Sequence, residues 1–333
     1  MLRLGYKASA EQFGPRELLE FTVLAEEYGF DSVAVSDHFQ PWRHTNGHAP
    51  EAFSWLGAAT QRTRRVLLGT SVTTPTFRLH PSVVAQAAAT LALLSGGRFF
   101  LGVGSGESLN EVPATGIRWP GFKERAERLR EAVELMRRLW REQFVTFEGR
   151  YFRTYKATLY DRPAEGVPLY LAATGPKAAE LAGRYGDGFI CTSGKAWELY
   201  REQLLPAVER GARETGRDPA TIERLIEIKV AYDPDRERAL ADTRIWAALA
   251  LSQEDKVAIE TPLDMERAAQ KVLDQAHRRW IVSDDPEEVV ERVRPYVELG
   301  FRHLVFHAPG DDQARFIRLF SEHVLPRLRH AFA

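Results

Sequence analysis

Short apolar runs alternate along the whole chain with stretches whose apolar residues recur every three to four positions. The first pattern is that of strands buried on both faces, the second that of helices with one buried face. Strands are predicted at Leu2–Lys7, Ser32–Val35, Val66–Thr70, Arg98–Val103, Leu169–Ala172, Gly188–Thr192, Leu225–Tyr232 and His303–Phe306. Helices are predicted over Pro15–Tyr28, Ala52–Gln61, from Pro81 onward, and over Phe122–Trp140, Trp197–Glu214, Pro286–Leu299 and Gln313–Arg327. In Phe122–Trp140 the spacing of Leu129, Val133, Met136 and Leu139 carries the assignment. Eight strands, each followed by helical sequence, predict an α/β fold: a (β/α)₈ barrel in one domain spanning 1–333. Two stretches interrupt the rhythm. Residues 144–166 break the pattern, with Phe144–Phe152 reading as an inserted hairpin, and residues 235–280 form a charged insertion with helical segments.

Composition narrows the class of function. With 333 residues and 44% hydrophobic content, the chain can bury a large core. Its net charge of −1 argues against nucleic acid or an anionic membrane as a partner. The N-terminus is too short and polar for a signal peptide, and no apolar run has membrane-spanning length. The lone cysteine, Cys191, excludes an internal disulfide framework and fits a reducing cytoplasm. It is expected at a buried strand end.

A barrel places chemistry on the loops that follow the C-terminal ends of its strands. The unusual residues fall there. Asp37, His38 and Trp42 follow the second strand, in Ser36-Asp37-His38-Phe39-Gln40-Pro41-Trp42. Histidine is the side chain that titrates most readily near neutrality, and an indole offers a flat face to a ring. Asp37 can orient His38 or bind a ligand hydroxyl. Ser105, Gly106, Glu107 and Asn110 follow the fourth strand; Thr174, Gly175 and Lys177 the fifth; Thr192 and Lys195 the sixth. The second insertion supplies Lys256 and Arg279.

Gly102-Val103-Gly104-Ser105-Gly106 is a poor dinucleotide fingerprint: no tight helix start is expected after it, and Pro113 interrupts the next stretch. Its glycines instead let backbone approach a flat ligand or a phosphate. Gly175-Pro176 opens a helix whose free N–H groups can bind an anion. His38, His44 and His48 lie in a loop, without helical ligand spacing, so no metal site is expected. Lys195, Lys256 and Arg279 read singly as surface charges; gathered at one barrel mouth they would bind phosphate.

Ser36 to His44 resembles the F420-dependent glucose-6-phosphate dehydrogenase family, within the luciferase-like superfamily. So do Leu4 to Phe13, Leu101 to Glu107, Gly186 to Lys195 and His303 to Gly310, and the likeness extends over essentially the whole chain. It implies coenzyme F420, a deazaflavin with a phosphate and a glutamate tail, and oxidation of glucose 6-phosphate to its lactone by a homodimer. By matching motif, Asp37, Thr74, Ser105, Gly106, Asn110, Thr174, Gly175 and Lys177 correspond to coenzyme contacts. Thr192, Lys195, Lys256 and Arg279 correspond to substrate contacts, chiefly around the phosphate. His38 and Glu107 correspond to the acid/base pair, with Trp42 beside them. The resemblance also implies a cis peptide at Ser71-Val72. A carboxylate ionised at neutral pH suits Glu107 as base and a protonated imidazole suits His38 as donor; the reverse order is chemically open. Glu11, after the first strand, stands in reserve. The alternatives are another F420- or FMN-dependent luciferase-like oxidoreductase, which has no need of the three cations, and a non-catalytic flavin-binding protein, which has no need of the proton pair.

Overall fold

The structure is a computed structural model that describes residues 2–333. Its strands, in chain order, are β1 (Arg3–Ala8), β2 (Ser32–Val35), β3 (Leu67–Thr70), β4 (Phe99–Val103), β5 (Val145–Glu148), β6 (Arg153–Ala157), β7 (Leu169–Ala172), β8 (Gly188–Thr192), β9 (Glu223–Tyr232), β10 (Ile281–Ser283) and β11 (His303–His307). Pairing runs β11-β1-β2-β3-β4-β7-β8 in parallel, and β9 joins both β8 and β11, so eight strands close into a barrel. The predicted eight are these. β10 is additional, a three-residue strand laid parallel along the end of β9.

Two layers of apolar residues hold the barrel together. The larger lies between strands and helices, where Leu4, Tyr6, Val33, Leu68, Phe99 and Phe306 are fully or almost fully buried. The smaller fills the interior: Ala34, Phe100, Tyr170, Ile190, Leu225 and Val305, each from a different strand. Phe100 and Tyr170 stack at 5.0 Å between ring centroids. A Cβ on Gly69 would lie 2.3 Å from the Phe100 ring, so glycine is what admits this plug.

At the opposite end from the predicted site, Glu223 gathers the strand starts. It accepts from Arg3 at 2.6 Å and from the Tyr170 hydroxyl at 2.5 Å. Burial alone would raise its carboxyl, but His303, Tyr170 and Arg3 outweigh that and bring it down to about 2.

The interruptions form as secondary structure. β5 and β6 pair antiparallel as a hairpin, though its second strand lies at Arg153–Ala157, beyond the expected Phe144–Phe152, which ends in the turn. The buried Glu131 carboxylate receives the backbone N–H groups of Arg150 and Tyr151, at 3.1 and 2.9 Å, and docks it. The second insertion carries short helices at Arg236–Asp242, Gln253–Ala258 and Pro262–Gln270 and 3₁₀ turns at Thr243–Ala250 and Leu273–Arg279.

Three expectations need correction. A helix, Ser108–Thr115, begins two residues after Gly106 despite Pro113. In eight residues the proline removes one internal hydrogen bond, and side-chain bonds from Asn110 and Glu111 anchor the segment. The predicted Gln313–Arg327 helix divides into Gln313–His323 and Leu325–Ala331, with Pro326 in the first turn of the second. Trp197–Glu214 opens as a π-helical turn, Leu199–Leu204, before regular helix at Leu205–Glu214. The Ser71–Val72 peptide is cis, as the resemblance implies. No helix of the described residues is long and apolar enough to cross a membrane.

Candidate active site

His38 leaves the end of β2 and meets a carboxylate from the end of β1. Its Nδ1 lies 3.2 Å from Glu11 Oε1, within ion-pair distance though out of line for a hydrogen bond. Ser36 donates to the other Glu11 oxygen at 2.5 Å. Burial would raise the Glu11 carboxyl, but the charges of His38 and Lys7 and the Ser36 bond outweigh it and hold it below the usual range. Asp37, which could orient His38 or bind a ligand hydroxyl, does not orient it. Its carboxylate accepts instead from the Thr73 hydroxyl and pairs with Arg78 at 2.9 Å.

Asn110 ties this loop to the next. Its Oδ1 accepts from the backbone N–H groups of Phe39 and Gln40 at 2.8 and 3.0 Å, while its Nδ2 donates to Glu107 Oε2 at 3.1 Å. Burial raises the Glu107 carboxyl, and Glu11 adds to the rise; His38 and Lys256 oppose it without cancelling it. Glu107 thus lies within electrostatic reach of both His38 and Lys256. Trp42 is there as well, with the Lys256 ammonium 5.4 Å from its ring centroid. Gly106 holds φ +84°, and a Cβ there would meet Thr74 at 3.0 Å, which places those two positions in contact with each other. Ser105 precedes them, half-buried.

The three cations converge. Burial is the first cause lowering both Lys195 and Lys256, and the Arg279 charge is the second; Lys256 falls to about 8. Lys256 donates to the Leu249 carbonyl at 3.2 Å and Arg279 to the Ser193 carbonyl at 3.2 Å. Among the described residues none of the three makes a salt bridge, while Glu107 lies within electrostatic reach of Lys256 and Glu227 of Arg279. The Arg279 backbone crosses close to the loop after β8: a Cβ on Gly194, where φ is +75°, would lie 2.6 Å from the Arg279 carbonyl oxygen. Thr192 is half-buried at the edge, its carbonyl receiving the Tyr200 hydroxyl at 2.8 Å.

Thr174, Gly175 and Lys177 lie at the largely exposed start of the helix Pro176–Tyr185. Cys191 is buried in β8, and burial pushes its thiol up. No group of three or more metal-ligating side chains occurs among the described residues.

Beneath the cations lies a network that the sequence reading missed. Glu227 of β9 pairs with Lys229 at 3.0 Å, with Lys7 of β1 at 3.1 Å, and faces His307 of β11 at 3.4 Å. Burial would raise Glu227, yet Lys229, Lys7 and His307 hold it well below the ordinary carboxylate value. A signal existed: Glu227 and Lys229 alternate with Ile226, Ile228 and Val230, so one face of an apolar strand carries charge. Arg78 and Glu111 carried no such signal.

The profile of the luciferase-like monooxygenase family matches residues 2–303. An F420-dependent glucose-6-phosphate dehydrogenase of Intrasporangium calvum is 62% identical over 332 residues, covering 99% of both chains. One from Nakamurella multipartita is 60% identical, covering 98% of this chain and 97% of its own. A solved F420-dependent secondary alcohol dehydrogenase, in complex with an F420-acetone adduct, superposes with TM-score 0.92 at 38% identity, covering 98% and 99%. With likeness of that depth running from end to end, the chain belongs to the luciferase-like family and, within it, to the F420-dependent glucose-6-phosphate dehydrogenases.

Proposed function

We propose that the protein oxidises glucose 6-phosphate to 6-phosphogluconolactone, with hydride passing from C1 of the sugar to C5 of coenzyme F420. The observation that carries this reading is the recess of Lys195, Lys256 and Arg279 beside His38 and Glu107. Three cations without a carboxylate partner suit a dianionic phosphate, and the neighbouring pair suits proton transfer at the other end of a small sugar. Thr192 borders the same recess and is assigned to the substrate.

The residues present fit the coenzyme. Asp37 Oδ1 is buried without a partner and can accept from a ring N–H. Thr74, Ser105, Gly106 and Asn110 border the same floor. Thr174, Gly175 and Lys177, at a helix start, suit the anionic tail. When bound, the deazaflavin supplies the hydride acceptor.

The surroundings favour the reverse of the proton roles that ordinary acidities suggest. Burial raises Glu107, which suits a group that holds a proton for donation. His38 turns Nδ1 toward the Glu11 carboxylate, leaving Nε2 to take the proton of the C1 hydroxyl while Glu11 stabilises the resulting cation. Trp42 is assigned a place beside the reacting centre. We further assign the whole chain, 1–333, to one barrel domain, a homodimeric assembly and a cytoplasmic setting. The assembly is what the sequence resemblance implies, and the lone Cys191 supports the setting.

The test is turnover. Purified protein with F420 should bleach the oxidised coenzyme on addition of glucose 6-phosphate, and far more slowly with glucose or 2-propanol. Preference for 2-propanol would move the assignment toward the secondary alcohol dehydrogenases, whose solved relative shares the fold.

A further inference from the structure

Two charged groups packed against Asp37, Arg78 and Glu111, have no role in the mechanism above. Arg78 follows β3, Asp37 follows β2, and Glu111 lies on the helix after β4. The Arg78 guanidinium pairs with Asp37 Oδ2 at 2.9 Å and donates to the Asp37 carbonyl at 3.1 Å. On its other side, its Nε lies 3.4 Å from Glu111 Oε1, and its backbone N–H donates to Glu111 Oε2 at 3.2 Å. The side chains are 12%, 0% and 1% exposed for Arg78, Asp37 and Glu111, so the two carboxylates share one cation with little help from solvent. Glu111 also underlies Gly106: a Cβ on that glycine would come within 3.4 Å of Glu111 Cγ.

We infer that Arg78 is a positioning residue for coenzyme binding: braced by Glu111, it fixes the Asp37 carboxylate so that one oxygen is free to accept from the ligand. Asp37 divides its oxygens accordingly. Oδ2 is engaged by Arg78 and by the Thr73 hydroxyl, while Oδ1 is buried and has no partner among the described residues. A buried carboxylate with an open acceptor costs stability unless a cation holds it ionised and a ligand completes it. Arginine suits the position because its planar fork serves two acceptors at once, which a lysine ammonium does less well. The inference rests on Asp37 being a coenzyme contact, as proposed above.

The experiment is a binding titration following the fluorescence of F420, with kcat and KM for glucose 6-phosphate measured alongside. Arg78→Met should raise the Kd for F420 about 10- to 100-fold, with a much smaller change in KM for the sugar. Arg78→Lys should fall between the two and restore part of the affinity. In an Asp37→Asn background the same Arg78 substitutions should change Kd less than about 3-fold, because the group they position has lost its charge. Thermal melts and circular dichroism establish that each variant is folded. If Arg78→Met does not fold, the cycle of Arg78→Lys with Asp37→Asn carries the test. Wild-type Kd in a folded Arg78→Met, or additive effects in the cycle, would overturn the inference. Failure of the wild-type protein to bind F420 would instead overturn the functional reading beneath it.

Discussion

Glu11 and His38, from the ends of neighbouring strands, face one another at 3.2 Å, with the Ser36 hydroxyl on the far carboxylate oxygen. If His38 takes the sugar proton, Glu11 stabilises the charge that arrives. Glu11→Gln keeps the size and the Ser36 contact but removes the charge. Its kcat should fall by about 10²-fold while the Kd for F420 stays near wild type. Unchanged turnover would remove Glu11 from the mechanism.

His38→Ala and Glu107→Gln should each lower kcat by about 10²- to 10⁴-fold. They should differ in pH dependence. A donor is active while protonated, and burial raises Glu107, so wild-type kcat should decline on the alkaline side as that proton is lost. Glu107→Gln should lack this decline. Its persistence in Glu107→Gln would assign the alkaline limb to another group.

The proposed phosphate site has its own pH signature. Lys256 is lowered to about 8, first by burial and next by Arg279. Lysine is charged below its pKa, so KM for glucose 6-phosphate should be lowest below pH 8 and rise above it. In Lys256→Met, KM should be high throughout and this rise should be absent. An identical pH dependence in the variant would show that Lys256 does not set it.

Lys195→Ala or Arg279→Ala should raise KM for glucose 6-phosphate about 10- to 100-fold, since charge-assisted contacts contribute about 1.5–3 kcal/mol each. Glucose has no phosphate for the recess to hold, so its kcat/KM should change little. Equal losses for the two sugars would sink the sugar-phosphate assignment.

Glu223 gives a prediction about stability rather than turnover. Its folded pKa of about 2 is below its ordinary 4.5, so its contribution is complete above pH 4.5 and fades as pH falls toward 2. Glu223→Gln should therefore lower the urea midpoint at pH 7, and the gap from wild type should close between pH 4.5 and pH 2. A gap independent of pH would mean that the loss comes from packing rather than ionisation.

Strands were legible in the sequence because a parallel barrel buries both faces of each one, leaving apolar runs such as Ser32–Val35 bounded by loop residues. The order of strands placed His38, Glu107 and the cations at one mouth. What stayed hidden was who touches whom. Adjacency in sequence suggested Asp37 for His38, yet Glu11, 27 positions earlier, faces the imidazole. Arg78 and Glu111 are ordinary charges in a chain that is 27% charged, and only the approach of three loops makes them partners. Ser108–Thr115 was obscured by Pro113, because local propensity cannot register tertiary bonds such as those of Asn110.

Phe100 and Tyr170, stacked inside the barrel with Gly69 making room, have a kinetic consequence. They stopper the stem, so a ligand has to enter and leave at the end of the barrel where the strands finish, and the loops there govern both.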